Sequence, residues 1–157
     1  MNWNHLKKEI YFWDGSWRDI YVHSTSANDW KIWVDFVNQN FKVEFYNGLL
    51  KKKEPRIDFS VIQDHWKGNH EFMSSARVFI DDNIQVNAHF FDDSEIENDI
   101  DPCAFKSMDD HNKLLEYLKE LSKKLEKEVT VSLENCPKMI FIKIKGESVG
   151  YYIKSEP

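Results

Sequence analysis

The chain has 157 residues, with 41% hydrophobic and 15% aromatic content, enough for one domain with its own core and too apolar for disorder. Its formal net charge of −6 opposes nucleic acid and anionic membranes as direct partners, since both attract basic surfaces. No run of about 18 apolar residues is present to span a bilayer, and the 5 scattered glycines cannot build a phosphate-cradling loop.

The first residues, Met1 to Glu9, hold no apolar run to serve as a secretory signal. From 8 to 24 the pattern predicts a hairpin: Ile10 and Phe12 alternate with Tyr11 and Trp13, Asp14-Gly15-Ser16 turns, and Ile20 and Val22 return. Residues 29–47 predict a second hairpin. Trp30, Ile32, Val34 and Phe36 share one face of its first strand, Asn38-Gln39-Asn40 turns, and Phe41, Val43 and Phe45 share one face of the second. Residues 48–56, with Lys51-Lys52-Lys53 and Pro55, read as a solvated loop. Residues 57–62 fit either a strand through Ile57, Phe59 and Val61 or a short helix continuing through Ile62 to Trp66.

Residues 71–91 predict another hairpin, out through Ala76, Val78 and Ile80 and back through Ile84, Val86, Ala88 and Phe90. A faint echo of residues 40–44 in residues 83–87 raises the alternatives of a duplicated hairpin and of two similar strands. Residues 92–106 read as a polar, acidic loop.

The clearest pattern runs from Ser107 to Glu128. Ser107 can cap a helix with Asp110 three residues on. Leu114, Leu118, Leu121 and Leu125 then recur at three- and four-residue spacing, opposite a face of lysines and glutamates. Val129, Val131 and Leu133 predict a strand, Asn135-Cys136-Pro137 a turn, Ile140, Ile142 and Ile144 a strand, and Val149 to Ile153 a last strand. The expectation is one α+β domain over residues 1–157: a predominantly antiparallel sheet of hairpins, one long amphipathic helix (about 108–127) packed on it, and a C-terminal β-meander.

Charge is unevenly placed. Residues 81–110 hold ten acids and one base, Lys106, so the window carries −9 and the remaining 127 residues +3. The densest part is Asp92, Asp93, Glu95, Glu97, Asp99 and Asp101. It reads as a solvated loop, as a cation site, or as a docking surface for a basic protein. The glycine and terminal glutamate of a calcium loop are out of register. His65 and His70 lack further ligands at zinc spacing, and neither Cys103 nor Cys136 lies in a nucleophile motif. No cofactor, metal or catalytic residue is expected. The two cysteines read as reduced thiols of a cytoplasmic protein, with one disulfide between them as the alternative. On the strand faces opposite the proposed core, Tyr11, Trp13, Trp17, Tyr21, Trp33 and Tyr46 would lie together. They would pack under another layer or form an exposed binding face.

Small, acidic, strand-rich, aromatic-rich and without a catalytic motif, the chain resembles in general character the immunity proteins of bacterial toxin–immunity systems, those of contact-dependent inhibition and polymorphic toxins. The resemblance spans the whole chain, rests on no motif and carries over no residue. It implies a non-enzymatic inhibitor that covers the active surface of a cognate toxin, often a basic nuclease. On that expectation the partner-binding residues are the six acids 92–101 together with Trp13, Trp17, Trp33 and Tyr46. Two other readings stand beside it: a small-molecule-binding domain or minor enzyme with an aromatic-lined pocket between sheet and helix, and a structural subunit whose aromatic face makes a homodimer.

Overall fold

The computed structural model describes all 157 residues. In chain order come α1 (Trp3–Glu9), β1 (Arg18–His23), α2 (Ala27–Asn40), β2 (Lys42–Asn47), β3 (Lys52–Glu54), α3 (Phe59–Trp66), β4 (Ser75–Asp81), β5 (Ile84–Ala88) and β6 (Glu95–Ile100). A 3₁₀ turn (Pro102–Ala104), α4 (Met108–Leu125), β7 (Val129–Leu133), β8 (Cys136–Lys145) and β9 (Ser148–Tyr151) follow. All nine strands form one sheet in the order β3-β2-β4-β5-β6-β1-β7-β8-β9, and every neighbouring pair is antiparallel. This is the expected α+β class with a mainly antiparallel sheet.

Two long connections decide how the sheet is covered. Strands β1 and β2 run parallel with three strands between them, joined through α2. Strands β6 and β7 run parallel with β1 between them, joined through α4. β1 and β6 are antiparallel neighbours, and their crossovers leave in opposite directions. A right-handed crossover from each then places both helices on the same side of the sheet. They pack on each other and on the sheet in one core, and the opposite side keeps a polar face.

The helix α4 forms as the leucine spacing predicts. The Ser107 hydroxyl accepts from the Asp110 amide, and Leu114, Leu118, Leu121 and Leu125 are buried. Each buried leucine contributes about 1.5–3 kcal/mol. The helix stops at Glu126, which takes the left-handed conformation. The hairpin β4–β5 and the meander β7–β8–β9 also form as the alternation predicts, except that the β7–β8 turn is Glu134-Asn135 rather than Asn135-Cys136-Pro137, since Cys136 and Pro137 are already in strand.

Residues 27–40 are a helix and not a strand. Trp30, Ile32, Val34 and Phe36 alternate, but Trp30, Trp33, Val34 and Val37 equally form one helical face, and these are buried together with Phe36 beside them. Ser26 and Asp29 close a reciprocal capping box that sets the start.

The hairpin expected over 8–24 is also absent. Asp14-Gly15-Ser16 does turn, with Gly15 at φ +87°, but the arm before it makes no ladder. Its carbonyls are taken by the buried Arg18 guanidinium, whose Nε donates to Ile10 O at 2.7 Å and Nη2 to Phe12 O at 2.5 Å. Residues before it instead wind into α1, capped by Asn2.

The acidic loop expected over 92–106 contains β6, because Ile96 and Ile100 alternate with the acids and are fully buried. The ambiguous segment is α3, capped by Asp58. Part of the expected lysine loop is the edge strand β3. The echo between 40–44 and 83–87 joins unlike structures, a helix end entering β2 and a hairpin turn entering β5.

Candidate functional site

Strand β1 presents Arg18, Ile20 and Val22 to the helices and Asp19, Tyr21 and His23 to the polar face. Strand β6 presents Ile96, Asn98 and Ile100 inward and Glu95, Glu97 and Asp99 outward. Because β1 and β6 pair at the middle of the sheet, the outward acids meet: Asp19 lies opposite Asp99, Tyr21 opposite Glu97 and His23 opposite Glu95. The ladder extends the row to Asn87 on β5 and Arg77 on β4. Sheet register thus gathers carboxylates from distant parts of the chain.

The floor of this row lies in a cleft of about 780 Å³. One wall is Gly15 and Trp17 of the β1 approach, held by the Trp17 amide donating to Glu134 at 2.8 Å. Across the cleft stand His89 and Phe91, whose rings stack at 5.5 Å.

Asp19 is 3% exposed. Its Oδ2 accepts from the Asn135 amide at 2.7 Å and from the Tyr21 hydroxyl at 2.9 Å. Burial nevertheless pushes its pKa up, and the charges of Asp99 and Glu134 add to the shift. Burial also raises Glu97, followed by the charges of Asp19 and Glu95. Burial and the Asp19 carboxylate hold the Tyr21 hydroxyl protonated far above its ordinary range. Asp99 is better served: Asn87 Nδ2 donates to one oxygen at 2.9 Å and His89 Nε2 to the other at 3.0 Å. That bond raises the pKa of His89. The cleft therefore crowds negative charge that its own side chains answer only in part, through His89 and Arg77. The side chain of Arg77 is half exposed and already faces Glu44 at 3.8 Å.

The residues singled out from the sequence divide. Glu97, Asp99 and Trp17 line the cleft, and Glu95 adjoins it beside His23, which donates to it at 2.7 Å. Asp92 and Asp93 lie exposed on the β5–β6 connection, where Asp92 accepts from the Ser94 amide and the Asp93 carbonyl accepts from Thr25. Asp101 caps the 3₁₀ turn. Tyr46 is exposed on β2, toward one edge of the sheet.

The expected aromatic face does not exist. Trp33 is fully buried on α2 and donates its indole N–H to Tyr117, and Tyr11 is buried against Phe105. Trp13 is exposed but borders a different hollow. The sequence reading missed Asp19, Asn87, His89 and Arg77. The signal for Asp19 was present in the alternation of Arg18-Asp19-Ile20-Tyr21-Val22 once the chain is read as a central strand.

Cys103 and Cys136 are unpaired thiols. No group of three or more His, Cys, Asp or Glu side chains is arranged to hold a metal ion, and no helix is long and apolar enough to cross a membrane. Compared with protein-family models, curated proteins and solved structures, the chain matches none of them.

Proposed function

We propose that this chain is a non-enzymatic binding protein whose polar sheet face docks on a basic surface of a partner protein, in the manner of a cytoplasmic immunity protein that neutralises a cognate bacterial toxin. One observation carries the reading: Glu95, Glu97 and Asp99 converge beside the buried Asp19 on adjacent central strands of a face no helix covers. Like charges so placed repel one another, and a cationic partner relieves that repulsion. A toxin that handles nucleic acid presents lysines and arginines to phosphate, so an acidic face of this size can cover its active surface. The interface centres on the strand acids rather than on Asp92 and Asp93, with Trp17 and Phe91 as aromatic neighbours of the cleft.

The test is capture of a partner from the source cells at low and high salt, with the wild-type chain and with the double variant Glu95→Lys, Glu97→Lys. The reading expects a stoichiometric basic protein that salt releases and the variant fails to hold, and whose activity the wild-type chain suppresses. Equal capture by the variant would exclude this face as the interface.

A further inference from the structure

A second hollow, of about 480 Å³, lies apart from the acidic cleft, between α1, the segment after it and the 3₁₀ turn. Its inner wall is aromatic. The buried Tyr11 stacks on the buried Phe105 with ring centroids 4.5 Å apart, and the partly exposed Trp3 lies 5.6 Å from Tyr11. Tyr11 is fixed from behind, its hydroxyl bonded to His111 Nδ1 at 2.5 Å. Trp13 stands at the rim, 58% exposed, with no aromatic neighbour in contact and no hydrogen bond to its indole N–H. Its ring is therefore open to a ligand seated in the hollow.

The rim is basic. Lys7 and Lys8 border the hollow from α1 and Lys106 from the far wall, all three exposed and none in an ion pair, and no carboxylate lines the hollow. In a chain of net charge −6 this is the reverse of the prevailing sign. The dipole of α1 favours Lys7 and Lys8 in its last turn, but it gives no reason for Lys106 to border the same space.

From the aromatic wall and the lysine rim together, we propose that this hollow binds a small planar aromatic anion, its ring against Trp13 and Trp3 and its phosphate or carboxylate between Lys7, Lys8 and Lys106. The volume lies within the range of small-molecule sites, about 300–1,000 Å³. Ammonium groups act as point charges and accept phosphate and carboxylate alike. Ring stacking supplies affinity without reading the identity of the ring. The class is therefore set by charge and planarity, and a mononucleotide and an aryl carboxylate both belong to it. This site is independent of the acidic sheet face.

The full chain is titrated with adenosine 5′-monophosphate, 1-naphthoate, adenosine and inorganic phosphate, following tryptophan fluorescence and the melting temperature. At least one of the two aromatic anions is expected to saturate with Kd below about 1 mM and to raise the melting temperature. Adenosine and inorganic phosphate bind roughly tenfold more weakly or not at all, since each lacks one half of the recognition. Binding of the monophosphate alone assigns the nucleotide, and binding of 1-naphthoate alone assigns the aryl carboxylate. The double variant Lys7→Gln, Lys106→Gln removes two exposed, unpaired charges. It is expected to weaken binding roughly tenfold and to reduce its salt dependence. Trp13→Ala is expected to weaken binding and reduce the fluorescence response to the part that Trp3 supplies, and binding unchanged by this variant overturns the placement of the ring. The proposal is overturned if neither anion saturates below about 1 mM, if adenosine binds as well as its monophosphate, or if the lysine variant binds like the wild type.

Discussion

Strand β6 carries both faces of the sheet in six residues. Toward the helices, Asn98 is fully buried between Ile96 and Ile100, and its side-chain oxygen accepts from Tyr117, whose hydroxyl in turn accepts from the Trp33 indole at 2.8 Å. Away from them, Glu97 stands between Glu95 and Asp99 and close to Asp19, with only the Tyr21 hydroxyl at 3.5 Å to answer its charge. The covered face completes its polar contacts internally and serves stability. The polar face leaves part of its charge for something outside the chain. Buried polar groups, Asp19 among them, must be satisfied within the fold, whereas the partly exposed charges of Glu95, Glu97 and Asp99 can meet a partner.

The sharpest way to break this contrast is to damage each face and compare folding with binding. Trp33→Ala empties a fully buried site between Trp30, Phe90 and Tyr117. A loss of about 3–5 kcal/mol in unfolding free energy is expected from urea denaturation, by the usual cost of a large cavity. A loss near zero would mean that α2 does not anchor the core.

Acidification should separate the two faces. His111 is buried on α4, bonded to Tyr11 and Tyr151, and burial lowers its pKa from 6.5 to about 4. The unfolded chain therefore takes up this proton first. The stability this histidine contributes is complete above 6.5 and is lost as pH falls toward about 4, amounting to about 2 kcal/mol between pH 7 and pH 5. His111→Gln should flatten the pH dependence of the urea midpoint in that window, and an unchanged slope would remove His111 as its cause. Asp19, Glu97 and His89 on the polar face act in the opposite sense. Their folded pKa values are raised, so what they contribute is present below their ordinary values and is lost as pH rises through the folded ones.

The smallest effect on stability belongs to Glu97→Gln. It removes one of several crowded charges and should leave the fold unchanged or raise its stability at pH 7 by about 0.5 kcal/mol, given screening by solvent. The same change should weaken capture of a basic partner. A clear destabilisation with binding intact would reverse the roles assigned to the two faces.

How much was legible in the sequence varied with how far each pattern excluded its rival. The leucines of α4 recur only at helical spacing and follow a serine cap, so no strand reading competes. In α2 the apolar residues satisfy both periods, and the capping pair Ser26 and Asp29 was the one local discriminator. The acids of β6 hid a strand because charge reads as loop, although Ile96 and Ile100 kept the period of two. The acidic residues were visible as a cluster, but their convergence with Asp19 was not, since 76 residues or more separate it from Glu95, Glu97 and Asp99 along the chain.

By itself the sequence determined the class of fold, the long helix, the hairpin β4–β5, the C-terminal meander and the confinement of acidity to one segment. Each of these rests on local spacing or local composition, which a chain carries wherever it folds. Only the tertiary structure decided which aromatic residues are core, which acids share a cleft and which face of the sheet stays uncovered. Those follow from strand order and from the direction of two crossovers, and pairing across a sheet depends on partners that local sequence does not name.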